Sequence, residues 1–139
     1  CVYHLVACAS GLDMSTSLVA SDDTLLLAPL APKKAGDILA NLLLTWRIGM
    51  GRPLPVAVKT AFAWLAQPDA AKAAAAAQKA YEGDGQTSEG ERRESAALSR
   101  QFPDFAALMA GGEFEEWCDA LYRPLFEASW RSLTAEEAR

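Results

Sequence analysis

The segment between Pro32 and Pro53 constrains the fold of this chain more than any other. Pro32 suits the first position of a helix, where its missing N–H group leaves no gap in the hydrogen bonding. Glycines on both sides of Met50, followed by Pro53, are typical of a helix end. The segment therefore predicts one long helix with a buried face. Its apolar residues recur every three or four positions, at Ala35, Ile38, Leu39, Leu42, Leu43 and Trp46.

The residues before this helix predict three short strands. Residues 2–9 are apolar with β-branched and aromatic members, and residues 14–20 alternate Ser and Thr with Leu and Val. Residues 24–30 are almost all apolar, as in a strand that is buried on both faces. Turn-forming residues, at 10–13 and 21–23, separate the three runs. We therefore expect an antiparallel three-strand meander that leads into the helix.

After the helix, the sequence predicts a short strand and then several helices. Residues 54–58 lie beside prolines that restrict them to a sheet edge or a strand end. Residues 83–95 are polar and rich in glycine, so they predict a flexible loop. The fold class is α/β (α+β), in one partial domain over residues 1–139. Helices are expected at residues 60–66, in the alanine-rich 69–82, at 96–102, at 104–109, and from Glu113 onwards with a kink at Pro124.

Composition limits the class of protein. Hydrophobic residues make up 51% of the chain and charged residues 22%, which excludes a disordered tail or a low-complexity polymer. No apolar run reaches the ~18 residues that a membrane helix needs, so no membrane partner is expected. The chain begins at Cys1, and no basic stretch precedes its first apolar run. We interpret it as a fragment of a longer protein, without a signal peptide. The three cysteines are scattered and the chain has one histidine, so a zinc site is not expected. The same cysteine usage favours a reducing, cytoplasmic setting.

The charge balance argues against a surface dedicated to binding nucleic acid. The net charge is −5, and residues 61–139 hold eight basic and fourteen acidic side chains. A surface that binds nucleic acid normally has a basic surplus. The balance therefore favours protein contacts, or a minor role beside a more basic neighbour.

Residues that could do chemistry lack the surroundings that chemistry needs. His4, the only histidine, lies inside the first predicted strand and has no nucleophile motif near it. The chain has no glycine-rich phosphate-binding motif. Asp22 and Asp23 form a carboxylate pair, but a magnesium site needs further oxygens, and a solvated turn is the simpler interpretation. We therefore predict no catalytic or metal-binding residue.

One stretch carries a family resemblance. Residues 25–32 read LLLAPLAP, the helix follows, and residues 49–56 read GMGRPLPV. In order and spacing this stretch resembles the C-terminal region of the RecC family, the gamma subunit of bacterial exodeoxyribonuclease V. Two later pieces agree in order: residues 80–83 with the loop at 90–92, and Pro124-Leu125-Phe126 in the last helix.

The resemblance implies a degenerate PD-(D/E)XK nuclease-like core. Active members of that superfamily carry a D/E-x-K pattern on the third strand, which binds Mg²⁺ and activates water. Here residues 25–30 contain no acid and no lysine, and the D/E-x-K pattern occurs nowhere in the chain. Leu42 and Trp46 occupy the spacing of the Q-x-x-x-Y motif that commonly follows. The expectation is a nuclease fold without nuclease chemistry.

The resemblance also implies a role and partners. The role is that of a non-catalytic scaffold and DNA-handling domain in double-strand-break repair and recombination, together with RecB- and RecD-type subunits. DNA ends and single strands would be met through the complex, and Mg²⁺ and ATP would be used by the partner subunits, with no cofactor in this chain. The candidate contact residues for DNA or a partner are Arg47, Arg52, Lys59, Arg92, Arg93 and Trp130.

Two alternatives remain open. The first is an active metal-dependent nuclease whose other ligands lie upstream of Cys1. It requires Asp22, Asp23 or Asp37 to approach an upstream acid. The second is an unrelated α/β interaction domain. A fold without the strand–helix–strand core would favour the second alternative.

Overall fold

The computed structural model describes residues 2–19, 24–85 and 89–127. Its described residues are mostly helical, with one two-stranded sheet, so the fold is of the α+β type. The chain divides into two compact units. The first unit contains the described residues up to Arg47, together with Glu127, and the second contains Ile48–Phe126. Among the described residues, no helix is both long and apolar enough to cross a membrane.

The first unit begins with a helix rather than a strand. Helix α1 spans Val2–Ala9 and buries His4, Leu5 and Cys8. The prediction of a first strand over residues 2–9 was therefore wrong. The buried positions follow the spacing of a helical face, and a short apolar run does not distinguish a helix from a strand.

The other two predicted strands are confirmed. Strand β1, Thr16–Val19, pairs antiparallel with strand β2, Thr24–Leu27. Thr16 lies opposite Leu27 in this hairpin, and Val19 lies opposite Thr24. The expected three-strand meander is therefore a two-strand hairpin in the described residues.

The long helix is confirmed at both ends. Helix α2 spans Pro32–Gly49, beginning at the proline and ending before the Met50 turn. Its buried face is narrower than predicted, because Leu43 and Trp46 are 64% and 66% exposed. The core that α2 meets in this unit is small, with Leu5, Cys8 and Ala35 as its buried members.

The second unit is formed by short helices. No strand occurs at residues 53–57, so the predicted strand after α2 was wrong within the described residues. Pro53 and Pro55 lack the N–H groups that a ladder needs. The elements are α3 Val58–Leu65, α4 Ala70–Glu82, α5 Glu91–Glu94, α6 Ala96–Gln101, α7 Phe105–Met109, α8 Phe114–Trp117, a π-helical turn at Cys118–Tyr122, and α9 Arg123–Phe126.

The core of the second unit contains aromatic residues packed beside small ones. The ring of Phe114 meets Trp64 edge-on at 5.9 Å and Phe105 at 6.4 Å between centroids, a favoured aromatic geometry. The predicted alanine-rich helix is confirmed as α4, and it is close-packed, since Ala73 and Ala77 are buried. The buried members of the main cluster are Ala57, Ala61, Ala77, Tyr81, Phe105, Leu108, Phe114 and Cys118.

The predicted loop over residues 83–95 contains helix α5, which the sequence did not predict. The flexibility of this loop stays a prediction. The helices expected at 96–102 and 104–109 are confirmed as α6 and α7, separated at Pro103.

The last helix is interrupted just before Pro124, as predicted, and the interruption is a π-helical turn. The N–H group of Arg123 donates to the carbonyl of Cys118, five residues back. Proline has no N–H group and clashes with the carbonyl four residues earlier in a regular helix. The wider turn accommodates this clash without ending the helix. Trp130 lies outside the described residues.

Candidate functional site

A buried carboxylate lies at the amino end of α3. The side chain of Glu91 accepts hydrogen bonds from the backbone N–H groups of Lys59, at 3.1 Å, and Thr60, at 2.8 Å. It also accepts one from the Thr60 hydroxyl group at 2.9 Å. The residue at the helix cap position, Ala57, makes no side-chain bond of its own. Glu91 therefore supplies from α5 the cap that α3 lacks locally.

Lys59 faces a second carboxylate of the same short helix. Its ammonium nitrogen lies 2.6 and 2.7 Å from the two carboxylate oxygens of Glu94. This hydrogen bonding raises the pKa of Lys59 above its usual value. Lys59 was predicted as a contact for DNA or a partner, and the structure pairs it within the unit.

Arg52 is also paired within the second unit. Its guanidinium group contacts the carboxylate of Glu113 at 2.8 Å. The indole N–H group of Trp117 donates to the same carboxylate at 3.3 Å. The hydrogen bonds from Arg52 and Trp117 hold the pKa of Glu113 below its usual value. Arg52 therefore links the turn after α2 to the start of α8.

The two arginines of α5, Arg92 and Arg93, have different surroundings. Arg92 donates to the carbonyl of Pro103, and its own carbonyl accepts from the hydroxyl group of Ser99. The Nε atom of Arg92 is buried without a partner. Arg93 is exposed and lies 3.8 Å from Glu89. Arg92 therefore holds α5 against α6 and against Pro103 in the connection between α6 and α7, while Arg93 stays at the surface.

Arg47 differs from the other candidates. It lies in the last turn of α2, is exposed, and forms no ion pair with any residue that the structure describes. A cation in the last turn is favoured by the helix dipole. Trp46, beside it, is also exposed.

The carboxylates required by the nuclease alternative are not gathered in the described part of the chain. Asp22 and Asp23 lie outside it. Asp37 accepts a hydrogen bond from Lys33 at 2.9 Å on the exposed side of α2. No three His, Cys, Asp or Glu side chains in the described ranges come together as a metal site would require.

His4 has structural partners that the sequence did not reveal. Its Nδ1 atom lies 2.9 Å from the Thr16 hydroxyl group, and its Nε2 atom lies 3.1 Å from the Ala28 carbonyl. A neutral ring satisfies both contacts when Nε2 donates to the carbonyl and Nδ1 accepts from the hydroxyl group. In that form Nε2 is no base for Cys8, whose sulfur lies 3.7 Å away. His4 therefore ties α1 to strand β1 and to Ala28, the residue that follows β2.

Residues 1–69 match the family model described as the RecC C-terminal domain. Over these residues, the chain belongs to the RecC C-terminal domain family. No match to a curated protein was found for the chain. The RecC match runs from α1 to just beyond α3, and it includes Arg47, Arg52 and Lys59. Arg92 and Arg93 lie beyond it.

The sequence pointed to the cations Arg52 and Lys59 but not to the acids that pair with them. Glu91, Glu94 and Glu113 lie far along the chain from their partners. The signal that could have found Glu91 was the absence of a capping side chain at Ala57. Opposite charges on separate elements gave no such signal for Arg52 or Lys59.

Proposed function

We propose that this chain is a non-catalytic scaffold and DNA-handling domain of a RecC subunit, the gamma subunit of exodeoxyribonuclease V. The match of residues 1–69 to the RecC C-terminal domain family carries the proposal. The domain assembles with RecB- and RecD-type subunits in a cytoplasmic complex for double-strand-break repair and recombination. ATP and Mg²⁺ are used by those subunits, and DNA is met through the complex.

The sequence supports the absence of cleavage in this domain. Residues 25–30 carry neither an acid nor a lysine, and the D/E-x-K pattern occurs nowhere in the chain. A metal-dependent nuclease needs such groups to bind Mg²⁺ and activate water. Of a degenerate PD-(D/E)XK core, the described residues contain the hairpin of β1 and β2 followed by α2, without the strand expected after that helix. The fold therefore does not oppose the unrelated interaction domain, and the match of residues 1–69 to the RecC family is what favours the scaffold over it.

The pairing of the cations supports a scaffold over a direct grip on DNA. Arg52 and Lys59 each contact a carboxylate within 3 Å. A phosphate would compete with that carboxylate for each cation, and since both pairs are exposed, the competition is a modest argument beside the charge balance. The acidic surplus of residues 61–139 opposes phosphate binding in the same way.

The proposal is tested by affinity capture with purified RecB- and RecD-type subunits from the same source as this chain. We expect the tagged chain to retain at least one subunit, and to retain little duplex-end DNA in a parallel experiment. Retention of DNA that weakens steeply with salt, without retention of a subunit, would contradict the scaffold role.

A nuclease assay with Mg²⁺ tests the non-catalytic part of the proposal. We expect the chain to leave linear DNA intact. Cleavage that disappears in an Asp37→Asn variant would overturn the proposal in favour of an active nuclease. A Lys34→Gln variant, changed on the same helix turn but at a cation, is the matched control.

A further inference from the structure

Helix α5 differs from its neighbours in what holds it in place. Its four side chains are all charged, and Glu91 is the one among them that is buried. The neighbouring helices α4 and α7 each bury large apolar side chains in the core of the second unit. Burial of apolar surface is the main source of stability in a folded chain. Because α5 has no apolar side chain, its position depends on polar contacts.

Two side chains of α5 make the contacts with α3 that the structure describes. Glu91 accepts hydrogen bonds from the backbone N–H groups of Lys59 and Thr60 and from the Thr60 hydroxyl group. Glu94 forms an ion pair with Lys59 at 2.6 Å, in which the two side chains are 56% and 62% exposed. We call this set of contacts, formed by Glu91 and Glu94 with Lys59 and Thr60, the clasp.

The clasp adds little net stability. The hydrogen bonds of Glu91 replace those that its carboxylate and the N–H groups would make to water, so their net contribution is modest. The pair of Lys59 and Glu94 is exposed, and such pairs contribute little and are screened by salt. A helix of four residues is also too short to persist without its contacts. These properties are typical of a region that opens locally while the rest of the unit stays folded.

Both ends of α5 allow it to move separately from its neighbours. Gly90, which precedes it, has a φ of +74°. Ser95, which follows it, is extended and caps α6 by accepting a backbone N–H group of that helix. Helix α6 therefore keeps its own cap when α5 leaves α3. The contacts of Arg92 join α5 to Ser99 and to Pro103 and involve no atom of α3.

We propose that the clasp is a releasable contact that masks the amino end of α3. In the closed state, Glu91 occupies the two N–H groups of α3 and Glu94 neutralises Lys59. In the open state, these groups face solvent and Lys59 is no longer neutralised. Helix α3 lies within the segment that matches the RecC family, whereas α5 lies beyond it. The clasp thus lets a segment outside the family match control the charge that the matched segment presents.

Hydrogen exchange at single backbone amides tests this proposal in the full chain. The N–H groups of Lys59 and Thr60 bind Glu91, so they exchange when the clasp opens. The N–H group of Ala61 binds the carbonyl of Ala57 within α3, so it exchanges when α3 itself unfolds. We expect Lys59 and Thr60 to be protected, but at least about tenfold less than Ala61.

Two results in the unchanged chain would overturn the proposal. Equal protection of Thr60 and Ala61 would show that the clasp opens only when α3 unfolds. Exchange of Thr60 at the rate of an unstructured peptide would show that the clasp is not closed at all. Neither comparison depends on a variant that has to fold.

A pair of carboxamide variants then identifies what keeps the clasp closed. Glu94→Gln removes the ion pair with Lys59, and we expect exchange at Thr60 to become about twofold to fivefold faster. Glu89→Gln is the matched control, because it makes the same change in charge beside Arg93 rather than beside α3. In this control, exchange at Thr60 should stay at the rate of the unchanged chain.

The variants can also contradict the proposal. If Glu94→Gln and Glu89→Gln give the same exchange rate at Thr60, the ion pair with Lys59 does not hold the clasp closed. If exchange at Ala61 becomes faster by the same factor as at Thr60, the variant loosens α3 as a whole, and the clasp is not a separate device. None of these results depends on the capture of a subunit, so the proposal and the scaffold function are tested separately.

Discussion

Glu91 holds the amino end of the helix that carries Thr60. One carboxylate oxygen accepts from the backbone N–H group of Thr60 at 2.8 Å and from its hydroxyl group at 2.9 Å, across 31 residues of sequence. The other oxygen accepts from the N–H group of Lys59. Because buried polar groups need partners, this one side chain fixes the position of both α3 and α5.

Removal of the Glu91 carboxylate should destabilise the second unit. Glu91→Ala leaves two backbone N–H groups and the Thr60 hydroxyl group without their acceptor, and we expect a loss of about 2 kcal/mol in the free energy of unfolding. Glu91→Gln keeps one acceptor oxygen and should lose less. Urea denaturation followed by circular dichroism measures the difference. Equal midpoints for Glu91→Ala and the exposed control Glu89→Ala would refute the role of Glu91 as a cap.

An alanine at Gly90 should be tolerated poorly. Gly90 has a φ of +74°, and an added Cβ would lie 2.4 Å from backbone atoms of Tyr81, Glu82 and Gly83. Backbone atoms move less easily than a flexible side chain, so we expect Gly90→Ala to lower stability by at least about 2 kcal/mol. Gly85→Ala is the matched control, since Gly85 has the same φ of +74° and open space around it. If the two variants unfold at the same urea concentration, the close approach at Gly90 does not affect the free energy of unfolding.

Alkaline pH should weaken the second unit. Burial raises the pKa of Cys118 and of Tyr122 to about 12 each, from ordinary values of 9.0 and 10.0. Below the ordinary values both groups are protonated in the folded and the unfolded chain. Above them the unfolded chain releases its protons first, so stability falls until the folded groups also titrate near pH 12.

Urea midpoints measured from neutral pH to about pH 11 check this expectation. Tyr122→Phe removes one of the two groups, and its stability should fall less steeply above about pH 10. Tyr3→Phe, at a residue that is 91% exposed, is the control. A steep alkaline loss that is unchanged in Tyr122→Phe would show that other groups govern it.

The contacts of His4 should stabilise the first unit. His4→Ala leaves the Thr16 hydroxyl group and the Ala28 carbonyl without a partner at partly buried positions, and we expect a loss of about 1–3 kcal/mol. His4→Gln supplies a polar side-chain amide and should recover part of the stability that His4→Ala loses. Tyr3→Ala, at the exposed neighbouring position, should change stability little. Hydrogen-exchange rates of the hairpin amides measure this loss of stability within the first unit. Identical exchange rates in His4→Ala and Tyr3→Ala would show that the contacts of His4 do not stabilise the unit.

The elements that were predicted best are those with start and stop residues in their own sequence. Pro32 and Gly49 bound α2 in the sequence and in the structure alike. Asp69 and Asp104 each cap the helix that follows by accepting a backbone N–H group, a local signal on which the prediction of these helices did not rely. These features depend on residues within one turn of each other, which is the range over which sequence patterns are informative.

Features that depend on distant partners escaped prediction. The apolar run of α1 is equally compatible with a strand, and its helical state places His4 against Thr16 of the hairpin and against Ala28 just after it. Helix α5 has four residues and no apolar stripe, so its docking through Glu91 is a tertiary effect. The periodicity of α2 predicted which of its positions are apolar but not which of them face the core. Trp46 was predicted to be buried and is exposed.

The π-helical turn at Cys118–Tyr122 keeps a row of side chains in phase. Phe114, Cys118, Tyr122 and Phe126 recur at every fourth position, and in a regular α-helix such a row rotates about 40° per step away from its starting direction. The wider turn winds the chain less per residue and reverses this drift midway. Phe114 and Cys118 can then be buried while Tyr122 and Phe126 both reach Phe62, with ring centroids at 6.3 and 5.8 Å. The irregular turn is thus a phase correction that lets a four-residue repeat run along one side of a helix.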